Sequence, residues 1–138
     1  MACRALLNTV TLSSQSLAVG DKISFSKNNI LFTNQIGHTE GSQYIYFCGE
    51  GVYYISLDVN ITSATAETVT VQMYNKDVPI GGAIISLVLA ANTAQDGHLS
   101  FMLRVPKSCA CINNNAAISF SVSAAATVNS SVLNVVKL

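Results

Sequence analysis

Two histidines, four cysteines, seven carboxylates and five tyrosines are the side chains of this 138-residue chain with which chemistry could be done. His38 stands in Ile36-Gly37-His38-Thr39-Glu40-Gly41, and His98 follows Asp96-Gly97, so both read as loop residues. A nucleophilic triad needs a histidine beside a serine or cysteine, with a carboxylate to orient it. No Gly-x-Ser-x-Gly elbow is present to present such a serine. Cys109-Ala110-Cys111 offers a soft-metal pair, but structural zinc sites ordinarily space their cysteines by two to four residues. Cys109 and Cys111 are therefore weak metal candidates and read first as core or loop thiols. Cys48 shares strand parity with Tyr44 and Tyr46, and Cys3 lies near the start of the chain. With no secretory signal, reduced thiols are the expectation, and a Cys3–Cys48 bridge is the alternative. Asp21, Glu40, Glu50, Asp58, Glu67, Asp77 and Asp96 are scattered singly, mostly in turns. Neither the converging pair of a glycosidase nor the clustered oxygens of a calcium loop is visible. Tyr44, Tyr46, Tyr53, Tyr54 and Tyr74 suggest a carbohydrate platform, but the chain has no tryptophan, and strand tyrosines more often pack at interfaces. The expectation is no enzyme, no catalytic residue and no cofactor.

The composition points toward surface contact. Half the residues are hydrophobic and 10% are charged, against about a quarter charged in an ordinary soluble domain. Some apolar surface is thus expected to be covered by another chain. The seven basic and seven acidic residues cancel and form no basic stripe, which disfavours nucleic acid. The apolar patch at 5–7 is too short for a signal peptide, and the longest apolar run, 83–91, is about half a membrane span. Synthesis in the cytoplasm, with no membrane association, is the expectation.

The elements that must position these side chains are strands. Tyr53, Ile55, Leu57, Val59 and Ile61 alternate with Tyr54, Ser56, Asp58, Asn60 and Thr62. That period of two places one face in a core and the other in water. The segments 68–74, 99–105, 118–123 and 22–26 repeat the pattern, and further runs fall at 5–11, 16–18, 30–33 and 43–48. Asn28-Asn29, Gly49-Glu50-Gly51, Asn75-Lys76-Asp77, Gly81-Gly82, Asp96-Gly97 and Asn113-Asn114-Asn115 read as turns between strands. Eight to ten short strands of this kind predict an all-β jelly-roll sandwich of two antiparallel sheets in one domain. The core is expected at Ile55, Leu57, Val59, Val71, Phe101, Leu103, Phe120 and Val122.

Two runs are apolar on both faces. The run 83–89 carries Ile84 and Val88 on one side and Ile85, Leu87 and Leu89 on the other. The run 132–138 carries Val132, Val136 and Leu138 opposite Leu133 and Val135. An antiparallel strand should have one wet face unless something covers it. Ile85, Leu87, Leu89, Val136 and Leu138 are therefore the predicted subunit interface. On that reading Leu87→Asp would dissociate the assembly before unfolding the subunit.

The order of these runs resembles the C1q/TNF-like jelly-roll superfamily. Gly51-Val52-Tyr53-Tyr54-Ile55-Ser56-Leu57 is similar to its Gly-x-Tyr strand, 68–77 to the next strand and turn, and 99–105, 118–122 and 130–138 to its last three strands. Within the superfamily the chain looks most like bacterial and prophage versions, such as virion fibre or decoration proteins and heads of collagen-like surface proteins. The resemblance covers roughly 19–138 and leaves 1–18 as an N-terminal arm, for attachment or as a first strand. It implies a homotrimer on a virion or bacterial surface, joined to other structural proteins through the arm. Its loops would face a host receptor or a glycan. No Gly-X-Y stalk stands in the chain. A β-sandwich hydrolase, motivated only by the two histidines, is the remaining alternative.

Overall fold

The computed structural model describes residues 5–32, 35–106 and 116–138. Among these, eleven strands form: β1 (Leu6–Val10), β2 (Gln15–Leu17), β3 (Lys27–Phe32), β4 (Ile36–Gly37), β5 (Ile45–Phe47), β6 (Gly51–Thr62), β7 (Glu67–Asn75), β8 (Val78–Leu89), β9 (Gln95–Val105), β10 (Ala116–Val122) and β11 (Ala126–Lys137). They make two antiparallel sheets. The first runs β3-β1-β11-β6-β9, with β2 also on β11, and the second runs β4-β5-β10-β7-β8. Residues 6–17, left by the sequence as an arm for attachment or as a first strand, thus give two strands to the first sheet. There β1 is internal, held by β3 on one side and β11 on the other.

The period of two explains the sandwich. Along β6 the odd residues Tyr53, Ile55, Leu57, Val59 and Ile61 are all buried, while their even neighbours face away. From the second sheet Val69, Val71, Met73, Ile118, Phe120 and Val122 close over them. Seven of the eight expected core residues are buried, and Phe101 is half-buried at the rim. Ile23 and Phe25 are fully buried as their alternation implied. They do not form the expected strand, however: their segment makes only an isolated bridge, Lys22 to Ser121.

Two glycine signals read as turns belong to strand interiors. Gly81-Gly82 lies inside β8, at a register shift against Gln72 and Tyr74, and Gly82 adopts a φ of 83°. A glycine bulge inside a strand leaves the same sequence trace as a turn. Gly97 lies inside β9 because a Cβ there would come within 2.9 Å of Ile85 and 3.2 Å of Leu87 from the facing sheet. Its missing side chain makes room for the core.

The turn at 76–77 is a two-residue hairpin, closed by the Asn75–Val78 and Tyr74–Pro79 pairs. Lys76 and Asp77 both take positive φ, 50° and 62°. Such hairpins favour Asn-Gly, because a Cβ in the left-handed region costs about 1 kcal/mol. Lys76→Gly is therefore expected to raise stability by about 1 kcal/mol, or roughly 3 °C in Tm. A thermal melt with unchanged or lower Tm would contradict this.

Tyr53 is fully buried, with its hydroxyl donating to Gly49 O at 2.8 Å and its ring 4.7 Å from that of Phe47. Burial raises its pKa above the ordinary tyrosine value, because phenolate would lose its hydration. The folded state then holds this proton more tightly than the unfolded chain. The associated stability is complete below the unfolded value near 10 and falls as pH rises through the folded value. Urea midpoints should drop above pH 10 in the parent and drop less in Tyr53→Phe; equal drops would exclude this cause.

Candidate assembly face

The outward face of the first sheet is read from its register. One row crosses all five strands and is apolar throughout: Phe32, Leu6, Val136, Tyr54 and Met102. Met102 is 63% exposed, Phe32 54% and Tyr54 39%, while Leu6 and Val136 are half-buried. The next row is Ile30, Asn8, Asn134, Ser56 and Ser100. Asn8 Nδ2 donates to Asn134 Oδ1 at 2.5 Å and Asn29 Nδ2 to Asn8 Oδ1 at 3.0 Å, so the Asn8 amide is engaged through both its nitrogen and its oxygen. The third row ends in Val10, Val132, Asp58 and His98. Beyond it Asn60 Nδ2 donates to Asp96 Oδ1 at 2.7 Å, and a shallow groove of about 300 Å³ opens between Asp58, Asp96 and Ser130. The face is thus apolar at one end, where the chain's start and finish meet, and hydrogen-bonded at the other.

The structure redistributes the predicted interface residues. Ile85, Leu87 and Leu89 are 6%, 4% and 2% exposed and point into the core of their own sandwich. Of β8, it is Ile84 and Val88 that face outward, 45% and 75% exposed. Parity shows that a strand has two apolar faces but not which one turns inward; here Gly97 makes the pocket that takes Ile85 and Leu87. Val136 lies in the apolar row, and Leu138, 67% exposed, follows at its edge with its N–H on Val52 O at 2.9 Å. Phe32 and Met102 escaped the sequence reading, and Tyr54 was noted there only as one of five tyrosines. Their signal was a large apolar residue on the otherwise polar parity of β6 and β9, and at the end of β3.

The two histidines stand apart: His38 lies in the loop after β4, as the sequence implied, though buried, whereas His98 lies within a strand. His38 follows β4, is 6% exposed, and packs its ring edge-on against Phe25. Its Nδ1 meets Asn28 Oδ1 of β3 at 2.6 Å and its Nε2 meets Ser42 O at 3.0 Å, so both nitrogens are engaged in tying its loop to its neighbours. His98 lies in β9 and pairs with Asp58 across the strand pair at 2.7 Å, half-exposed. Among the described residues no serine or cysteine hydroxyl or thiol bonds to either ring, and no three His, Cys, Asp or Glu side chains gather to hold a metal.

Cys48 is half of a disulfide, against the expectation of reduced thiols. Pairing depends on which segments the fold brings together, and spacing along the chain does not encode that. Cys3, Cys109 and Cys111 lie outside the described residues, and the metal reading of Cys109 and Cys111 lies there with them. No helix of the described residues is long and apolar enough to cross a membrane.

Comparison with known proteins agrees with the topology. No family model and no curated sequence matches the chain. Solved structures do match over nearly its whole length. Murine APRIL superposes with a TM-score of 0.75 at 10% identity, covering 99% of this chain and 100% of its own. Eiger TNF from S. frugiperda gives 0.71 at 9% identity, covering 98% and 91%. The globular domain of zebrafish complement 1qA gives 0.68 at 8% identity, covering 95% and 94%. The fold is the C1q/TNF-like jelly roll.

Proposed function

We propose that this protein is a non-enzymatic structural module that joins two further copies of itself through the outward face of the first sheet. The observation that carries the reading is the unbroken apolar row Phe32–Leu6–Val136–Tyr54–Met102. A monomer gains nothing from holding five apolar side chains in register on a solvent-facing sheet, whereas an assembly buries them. The low charge of the chain, 10%, supports the same conclusion. The likeness to TNF and C1q domains supports a homotrimer.

The carrier we propose is a phage virion or a bacterial surface, a reading that rests only on the chain's overall likeness to bacterial and prophage versions of the superfamily. The geometry suits attachment from one end. Lys137 N donates to Ala5 O at 3.0 Å, so the first and last strands emerge together. The connections 63–66, 90–94 and 123–125 gather at the opposite end, where Asn92 N donates to Ser63 O at 2.7 Å. They are the loops such a module would present to a receptor.

Methionine oxidation tests the covered face. Met102 is 63% exposed in the single subunit and Met73 is fully buried, so Met73 is an internal reference. In the concentrated protein Met102 should oxidise nearly as slowly as Met73. Rapid oxidation of Met102 at every concentration would overturn the proposed face.

A further inference from the structure

The outward face of the second sheet, opposite the assembly face, carries a cluster that no step above uses. Tyr44 and Tyr46 stack with ring centroids 6.2 Å apart and planes 20° from parallel, and Tyr46 is 38% exposed. Lys22 Nζ lies 5.9 Å from the centroids of both Tyr44 and Tyr74. Asp77 Oδ1 accepts from the Tyr44 hydroxyl at 2.9 Å and faces Lys22 Nζ at 3.6 Å. Beneath them is Ser119, opposite Tyr74 in the β10–β7 register and one step beyond the Ile118–Ile45 pair, beside Tyr44. Its hydroxyl is fully buried and, among the described residues, has no hydrogen-bond partner. A shallow groove of about 190 Å³ continues from Tyr74 past Thr70, Gln72, Ser121 and Ser123.

We infer that this face is a binding site for a neutral sugar, with the tyrosine rings as its platform and Asp77 and Lys22 as its hydrogen-bonding rim. Three features of the cluster suit that ligand class. Flat rings, one of them well exposed, offer apolar area to the C–H face of a pyranose. The rim pairs one carboxylate with one ammonium, so an anion or a cation would meet a like charge as well as an opposite one, while hydroxyls can donate to the first and accept from the second. The groove leading away mixes the hydroxyls of Thr70, Ser121 and Ser123 and the Gln72 amide with Val19, Gly20 and Val122, and brings no further charge. A buried polar group without a partner is also uncommon, and Ser119 is one directly under the rings.

The turn supplies a further observation. Asp77 is held in the left-handed region beside Lys76, where glycine would relieve strain, and that backbone sets its carboxylate against Tyr44 and Lys22. Strain retained in this way is found where side-chain placement matters more than stability. The site is on the other sheet from the assembly face and does not rest on that reading.

The experiment follows amide shifts by NMR in the full chain, titrated with methyl β-galactoside, methyl β-glucoside, methyl α-mannoside and N-acetylglucosamine, and separately with choline. At least one sugar should give saturable shifts at Tyr44, Tyr46, Tyr74 and Asp77. Asp77→Gly removes the carboxylate at a φ of 62° that glycine accepts, so the subunit should stay folded while binding weakens about tenfold or more. Tyr46→Ala, at an exposed ring, should weaken it similarly. Absence of shifts with every sugar, sugar shifts unchanged in both variants, or shifts with choline alone would each overturn the inference. The cluster would then be a clamp holding Lys22 to the sheet.

Discussion

Leu87→Asp is expected to yield no folded subunit at all. Leu87 is 4% exposed, sits between Ile85 and Leu89, and packs over Gly97 of the opposite sheet. An aspartate there must either leave a carboxylate unpaired in an apolar core or bind a proton to avoid it. Either route costs several kcal/mol, together with the lost packing of the leucine, against a total stability of about 5–15 kcal/mol for a domain. Far-ultraviolet circular dichroism and thermal melting of the variant should show no cooperative transition. A soluble, folded monomer would contradict the burial and return Leu87 to an interface.

Met102→Glu is expected to do the reverse, leaving the subunit folded while the assembly comes apart. Met102 is 63% exposed and its side chain points away from the core, so a glutamate there remains hydrated in a lone subunit. In the assembly the same charge would be buried against the apolar row with no cation in register, since its cross-strand partner is Tyr54. Self-association should weaken about a hundredfold or more. Sedimentation of the variant should show a monomer with native circular dichroism. Loss of folding would place Met102 in the core. Retained association would move the interface to another apolar surface, of which Ile84 and Val88 on the second sheet are the next candidates.

The contrast between Leu87 and Met102 shows what the sequence could and could not reveal. Where a strand is apolar on one face only, as in β6, alternation alone identifies both the strand and its buried side, and Tyr53 to Ile61 behave accordingly. Where both faces are apolar, as in β8, the pattern has no sign, and only the facing sheet decides. Gly97 made that decision, and in the sequence it had the appearance of a turn. The same ambiguity hid Gly81-Gly82 inside a strand and His98 in β9.

The assembly face was legible only in part, for a related reason. Its residues come from β3, β1, β11, β6 and β9, and the row exists only once the register is known. Val136 and Leu138 stood out because their strand is doubly apolar. Tyr54 was visible only as one of five tyrosines, and Met102 looked like a single exception on a polar face, which is common on any surface. The tyrosine cluster was visible as a list of residues but not as a site. Nothing in the chain's linear order brings Lys22, Tyr44, Tyr74 and Asp77 together.

The mass of the parent protein in solution, by size exclusion with multi-angle light scattering, decides whether the chain assembles. A homotrimer held by the first sheet should run at three times the 14.6 kDa subunit. A stable 14.6 kDa monomer across the accessible concentration range would contradict it, and the apolar row on the first sheet would then need another explanation.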